Sequence, residues 1–453
     1  MKTLVGVRQS VFNVTIPGDQ RSLLYNTLSG RLIGLKAALP EIIALSDPVA
    51  QELKRSGFLV DASISPKAEY EEFFRLRSQL SETCYLLFTT NTTCNLSCGY
   101  CFQNRVKRSG MSESVLRQSL SWIRHRLSAT NCRSVNMTVF GGEPMLALSQ
   151  VFDCLQGVRN ICLEAHIEME PCLLTTNGLH SDADTLNKLR TLGVEYVQIT
   201  LDGAAAVNDR RRRDRLKTVE GSVYSNILAN LRLYQRYFGL TVKVNFDKST
   251  IDSIPQLLDD LEILGGIEPG SYRVKPEPIA VFKKAPTRGE RPISLYDPTQ
   301  PELASAFAKV IGWAVDRGID LDLSAVFPTP CMISQGNSFL LEPDGSLRSC
   351  ISAFGLDAFK VGSVFQFSEL QNDRSRYSTD IDTIQLKDCL QRECPYLPVC
   401  DGGCKYEAHL ESLPLKSMQC KYDYFVEAVP LYARYKETHS SSMRVYSVHE
   451  TAQ

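Results

Sequence analysis

Apolar and polar positions change their period repeatedly between residues 83 and 278. The runs CYLLFTT, SVNMTVF and VEYVQITL, with IEMEPCLLTT, LTVKVNF and SYRVKPE, read as strands: short and rich in β-branched and aromatic residues. Between them LSQVFDCLQGVRNICLEA, SVYSNILANLRLYQRYF, SIPQLLDDLEIL and the stretch 113–128 place apolar residues three and four apart, the period of a helix. Six strand–helix units in series imply a parallel sheet with right-handed crossovers. Eight units are not evident, so the expectation is an α/β fold built on a partial (β/α)6 TIM-like barrel spanning 83–320. In such folds the chemistry lies at the C-terminal ends of the strands.

The pattern differs on either side. In residues 1–82, SVFNVTI and SLLYNTLSGRLIGL read as strands around turns at Gly18-Asp19 and Ser29-Gly30. LPEIIALS and PVAQELKRSGFLV read as short helices, the second stopped by Gly57. Strands followed by small helices predict a winged-helix-like module, joined by a connecting helix in KAEYEEFFRLRSQLSE. Residues 321–453 are rich in Cys, Gly and Pro and read as a loop-rich domain held by metal rather than by a large core, with a mobile tail, ETHSSSMRVYSVHETAQ.

Composition narrows the classes. Net charge is −1 and the isoelectric point is near 6.6, without the basic excess of a nucleic-acid binder. The N-terminus is too polar for a signal peptide, and no apolar run approaches a membrane span. The expected compartment is the cytoplasm, where fifteen cysteines are better suited to metal than to disulfides. Five of them (Cys84, Cys132, Cys154, Cys162, Cys172) are scattered and read as small core residues.

The other ten are grouped. Cys94, Cys98 and Cys101 lie in CNLSCGYCFQN, directly after the first barrel strand. Three thiolates can hold three irons of a [4Fe–4S] cube and leave the fourth open for a small molecule. Structural zinc needs a fourth ligand, for which His125 is the first candidate in sequence.

CNLSCGYC resembles the signature of the radical S-adenosylmethionine enzymes. The resemblance implies that the amino and carboxylate groups of S-adenosylmethionine chelate the open iron, and that reductive cleavage yields a 5′-deoxyadenosyl radical. It extends to GGEP (Gly141, Gly142, Glu143, Pro144), expected to meet the methionine amino group. Asn177 of TTNG and Thr200 of TLDG are expected near the ribose and methionine portion, and Tyr100 and Phe102 near the adenine. In NDRRRR, Arg212 takes the place of an arginine that reaches the methionine carboxylate, and Asn208 stands where histidine is usual.

The seven later cysteines resemble the SPASM extension of these enzymes, which implies two auxiliary [4Fe–4S] clusters and so three in all. The family's interleaved pattern gives Cys331, Cys350 and Cys404 to the first, and Cys389, Cys394, Cys400 and Cys420 to the second. Four residues separate Cys389 from Cys394 where two are usual, and the first auxiliary cluster has three evident ligands, leaving an open iron or a ligand of another kind. Zinc ribbons are the competing reading of this spacing. The resemblance implies action on a ribosomally made precursor peptide, whose leader the N-terminal module would bind as an added strand, and electrons from a flavodoxin- or ferredoxin-type donor. The expected product is a thioether or carbon–carbon cross-link. The alternatives are a formylglycine-generating enzyme of the anaerobic sulfatase-maturating type, whose aspartate after the second SPASM cysteine is here Ile351, and an RNA-modifying enzyme, which the net charge disfavours.

Overall fold

A computed structural model describes residues 6–39, 47–79, 82–279, 296–324, 326, 331–366, 384–439 and 443–446. The chain begins with β1 (Val7–Gln9), β2 (Asn13–Ile16), β3 (Ser22–Asn26) and β4 (Leu32–Leu35). β2, β3 and β4 form an antiparallel meander, and β1 pairs with β5 (Leu59–Asp61). The turn between β3 and β4 uses Gly30 at φ 68°, where a side chain would be strained. A helix Asp47–Arg55 ends at Gly57, and the connecting helix spans Pro66–Gln79. Most of the expected helix LPEIIALS lies outside the described residues.

The barrel strands follow as β6 (Thr83–Thr89), then, beyond β7 (Leu96–Cys98) in the cysteine loop, β8 (Ser134–Phe140), β9 (Glu168–Met169), β10 (Cys172–Thr176) and β11 (Val194–Leu201). β12 (Arg212–Asp214), β13 (Gly239–Phe246), β14 (Tyr272–Pro278) and β15 (Asp320–Leu321) complete the run. β6, β8, β10, β11, β13 and β14 lie side by side in that order, all parallel, with β15 beyond β14. This is the expected six-unit partial barrel. The run IEMEPCLLTT is two strands rather than one, because the chain breaks at Glu170-Pro171, where proline offers no N–H to a ladder.

Burial shows why these segments are strands. Val135, Met137 and Val139 are fully buried and alternate with half-buried Asn136 and Thr138. The buried set shares one core with Trp122, Ile123, Val151 and Leu155 of the covering helices Glu113–Ser128 and Leu148–Ala165. Ser112 caps the first of these by accepting the Val115 N–H.

The C-terminal region departs from the loop-rich expectation. β16 (Ser338–Leu341) adds in parallel to the free side of β6, and β17 (Ser346–Arg348) and β18 (Lys360–Ser363) follow as an antiparallel extension of the same sheet. Trp122 meets Phe339 of β16 edge-on at 5.1 Å between centroids, so the region is held by apolar packing as well. Trp122→Ala is expected to cost about 3–5 kcal/mol, measurable as a lower midpoint in chemical denaturation.

The tail also corrects its expectation. Residues Arg444–Tyr446 form β19, parallel to β4, so that the N-terminal sheet runs β19-β4-β3-β2. The N-terminal segment is not a free appendage. Tyr25 packs edge-on against Tyr432 at 5.9 Å, Arg21 pairs with Glu437 at 2.6 Å, and Phe12 and Tyr70 share a cluster with Leu386, Leu390 and Leu397.

Candidate active site

The cysteine loop is clamped from three sides. Its stem is tied by the Thr92 N–H donating to Ser109 O (2.8 Å) and by Asn91–Gly110 bridging. The segment after β8 lies against it: the Gly142 N–H donates to Asn91 O (3.0 Å) and the Glu143 N–H to Thr93 O (2.8 Å). A Cβ on Gly142 would stand 2.2 Å from Thr93 O, and one on Gly141, at φ 147°, 2.4 Å from Asn91 O. The GGEP glycines therefore permit backbone contact with the chain leading into Cys94. The third clamp is β7 against β12, with Arg212 opposite Cys98.

Glu143 is nearly fully buried and joins two strand ends. Its Oε1 accepts from the Met145 N–H (3.0 Å) and the Thr176 hydroxyl (2.7 Å), and its Oε2 from the Asn177 N–H (2.6 Å). Burial raises its pKa, and these hydrogen bonds oppose the rise. Pro144 opens the short 3-10 turn that follows. Asn177 reaches the loop directly, its Nδ2 donating to Asn95 Oδ1 (2.6 Å). Thr200 lies half-buried near the end of β11, opposite Lys243. Phe102 packs between Phe140 (6.3 Å) and Phe354 (6.0 Å).

Beneath the loop lies a polar cluster that sequence reasoning only half found. Asp202, with no exposed surface, accepts from the Tyr100 hydroxyl (2.7 Å) and from Asn245 Nδ2 (3.2 Å). Asn245 also donates to the Tyr100 oxygen (2.9 Å), and Arg212 approaches it at 3.4 Å and Asp202 at 3.9 Å. Asn208 accepts the Asp202 N–H at 3.1 Å, a local anchoring role where the family pattern has histidine. Asp202 was visible in TLDG. Asn245 had one faint signal, a polar residue breaking the buried alternation of β13.

The arginine run divides by position. Arg210 and Arg213 are exposed, Arg211 pairs with buried Asp247, and Arg212 is 5% exposed. Burial opposes the Arg212 charge, but Cys98, Tyr100 and Asp202 outweigh it and raise its pKa. Burial pushes the Cys94 thiol to about 11 and Cys98 to about 12 and raises Cys101. The Arg212 cation opposes the rise in all three. The three thiols lie within electrostatic reach of one another.

The seven later cysteines sort into two groups. Burial raises Cys350, and its next strongest influences are Cys331 and Cys404. Burial pushes Cys389 to about 11, followed by Cys394, Cys400 and Cys420. Lys405, 5% exposed, has no hydrogen-bond partner; burial lowers its pKa, and Asp401, Cys400, Cys404 and Cys331 oppose the fall. Lys421, by contrast, pairs with Glu407 at 3.0 Å.

The donor set fits polyanionic clusters. The triad faces a buried cation with unused hydrogen-bonding capacity, Arg212 Nε, and the unpaired Lys405 Nζ lies within electrostatic reach of Cys331, Cys400 and Cys404. Among the described residues, no group of three His, Cys, Asp or Glu side chains is arranged to hold a single metal ion. His125 sits exposed in the last turn of the helix Glu113–Ser128, about 24 Å long at 1.5 Å per residue.

The sequence model of the Radical SAM superfamily matches residues 88–261, the stretch that contains the triad, GGEP, TTNG, TLDG and Arg212. These residues form a radical SAM domain. Domains of this family use a [4Fe–4S] cluster and S-adenosylmethionine. Among proteins similar to the chain, a cysteine-type anaerobic sulfatase-maturating enzyme of Clostridium novyi is 26% identical over 356 residues, covering 71% of this chain and 87% of the relative. Among solved structures, anSMEcpe with bound AdoMet has a TM-score of 0.55 at 16% identity, covering 78% of this chain and 98% of its own. Streptococcus suis SuiB bound to precursor peptide SuiA has a TM-score of 0.52 at 16% identity, covering 92% and 99%. The structural likenesses cover more of the chain than residues 88–261. Among the described residues, no helix is long and apolar enough to cross a membrane.

Proposed function

We propose that this chain is a cytoplasmic radical SAM maturase of a ribosomally made peptide, installing an oxidative cross-link, thioether or carbon–carbon. It would divide into a leader-recognition module (1–82), the barrel (83–320) and a SPASM-type region (321–453) with two auxiliary clusters. The observation that carries the reading is the N-terminal antiparallel sheet, Asn13–Leu35, packed against the C-terminal helix Tyr422–His439. A barrel acting on a small molecule has no evident need of it. The likeness to SuiB, which is bound to a precursor peptide, spans more of this chain than the likeness to anSMEcpe, and this supports the reading.

When bound, the first cluster and S-adenosylmethionine supply a 5′-deoxyadenosyl radical that removes hydrogen from the peptide. The chain's residues would do the rest. Cys94, Cys98 and Cys101 would hold the cluster, with Arg212 beside them to receive the methionine carboxylate. Gly141, Gly142, Glu143 and Pro144 would shape the wall near the amino group. Asn177 and Thr200 would line the ribose side, with Tyr100 and Phe102 on the adenine side. Cys331, Cys350 and Cys404, and Cys389, Cys394, Cys400 and Cys420, would hold auxiliary clusters, which would supply an acceptor for the second electron. A flavodoxin or ferredoxin would supply the first.

Arg212→Ala is expected to weaken S-adenosylmethionine binding by about 1.5–3 kcal/mol in a calorimetric titration of the reconstituted protein, at normal iron content. Unchanged affinity would put the carboxylate elsewhere. The function itself is tested by incubating reconstituted enzyme, S-adenosylmethionine and reductant with peptides from short neighbouring reading frames. A cross-link leaves the peptide lighter by two hydrogens and inert to a hydrazide probe. A hydrazide-reactive product would instead support the formylglycine reading, which the 26% identical relative favours and Ile351, after Cys350, opposes. Unchanged mass would indicate epimerisation.

A further inference from the structure

The N-terminal sheet carries a strand that does not belong to its meander. β19 pairs with β4 as Arg444↔Ile33, Val445↔Gly34 and Tyr446↔Leu35, and the Lys36 N–H closes the ladder onto Tyr446 O (2.8 Å). It is the only parallel strand among the described strands of this sheet, and it is three residues long. Each of its side chains has its own seat. The Arg444 guanidinium meets Glu52 at 2.8 Å. Val445 lies over Gly34, where an added Cβ would stand 3.2 Å from a Val445 methyl. Tyr446 packs on the small cluster of Leu24, Ile33, Leu35, Leu53 and Phe58.

These contacts are shallow. Arg444 is exposed, and Val445 and Tyr446 are half-exposed. An exposed ion pair contributes little, and a short parallel ladder is less stable per residue than an antiparallel one. What holds β19 in place is its attachment: five residues from the end of the helix Tyr422–His439, it is presented to β4 at an effective concentration in the millimolar range. A bare β4 edge would pair readily with another extended chain. A weak strand tethered over such an edge covers it while leaving it available.

We propose that the β4 edge is a docking site for an extended peptide, and that residues 444–446 occupy it until that peptide displaces them. The inference rests on the peptide-maturase reading and specifies the occupant: a precursor leader with a basic, a β-branched and an aromatic residue in succession, matching the seats at Glu52, Gly34 and the Leu24 cluster. The strand is then a placeholder that sets a threshold for leader binding, because the leader must compete with a tethered segment.

The test uses the full chain and needs neither iron nor S-adenosylmethionine, so its outcome is independent of the radical chemistry. The probe is a fluorescein-labelled peptide, SSMRVYSV, corresponding to residues 441–448. In anisotropy titrations the double variant Arg444→Glu/Tyr446→Ala is expected to bind it at least tenfold more tightly than the wild type. A probe carrying Glu in place of its arginine should bind that variant weakly, and Glu52→Lys in the protein should restore binding. If the variant melts normally but binds the probe no better than the wild type, the edge is not an acceptor and the proposal fails. Should the variant fold poorly, hydrogen exchange of the wild-type Lys36 amide decides. Exchange through local opening, faster than that of the β3–β4 amides, supports a displaceable strand. Exchange only with global unfolding makes β19 a fixed part of the fold and overturns the proposal. Failure of the precursor reading alone would leave probe binding intact but no neighbouring peptide modified.

Discussion

Full-length protein with Cys94, Cys98 and Cys101 all replaced by alanine is expected to form no 5′-deoxyadenosine, while its iron content after anaerobic reconstitution falls by about a third. The first effect follows from the triad being the cysteine set beside Arg212. The second rests on the proposed division of the other seven cysteines between two auxiliary clusters, to which the triad contributes no ligand. Iron content and the reduced-state paramagnetic resonance spectrum report the two sets separately. Loss of all iron would show that the sets assemble as one unit. Zinc in place of iron, in protein made anaerobically with iron in excess, would falsify the cluster assignment.

Gly142→Ala should disturb the first cluster almost as severely, although residue 142 bears no ligand. Its Cβ would fall 2.2 Å from the Thr93 carbonyl oxygen and 2.6 Å from its carbon, which are backbone atoms without a rotamer to escape into. Either the Glu143 N–H to Thr93 O bond breaks or the chain entering Cys94 moves. Overpacking of this kind costs about 1–3 kcal/mol, and the displacement falls on the residue next to the first ligand. The expected result is loss of iron from the triad with the auxiliary iron retained. Gly99→Ala is the control: it lies within the same loop, but its added Cβ meets nothing within 4 Å, so its iron content should be normal. Equal behaviour of the two variants would mean that the Gly142 contact does not position the loop.

Local signals carried the barrel. SVNMTVF and VEYVQITL are strands along their whole predicted lengths, as LSQVFDCLQGVRNICLEA is a helix, because the apolar period of each matches its element. The motifs were legible for the same reason: each sits at a strand end. What stayed hidden depended on partners distant in sequence. The family pattern picked Arg212 out of NDRRRR, but the physical reason for its burial lay elsewhere, in β12 pairing with β7, more than a hundred residues earlier. Tyr100 could be named but not its bonds to Asp202 and Asn245, which lie on different strands. The tail reads as polar and unstructured, because three residues have too little pattern to announce a strand. GGEP is expected to meet the methionine amino group, and nothing in its sequence signals that its glycines also lie against the backbone of Asn91 and Thr93.

The pairing of β16 with β6 has a consequence for biosynthesis. Tyr85 on β6 meets Ser338 on β16, roughly 250 residues later. At a translation rate of 5–20 residues per second the ribosome needs roughly 10–50 s to supply that partner. Throughout that interval β6, the strand that leads into the cysteine loop, can pair with β8 on one side, while its other edge has no covering strand. Such an edge invites pairing with another nascent chain. The yield of soluble protein in a host cell should therefore depend on elongation speed and on holding chaperones, and codon choice between positions 90 and 338 should affect it more than codon choice elsewhere.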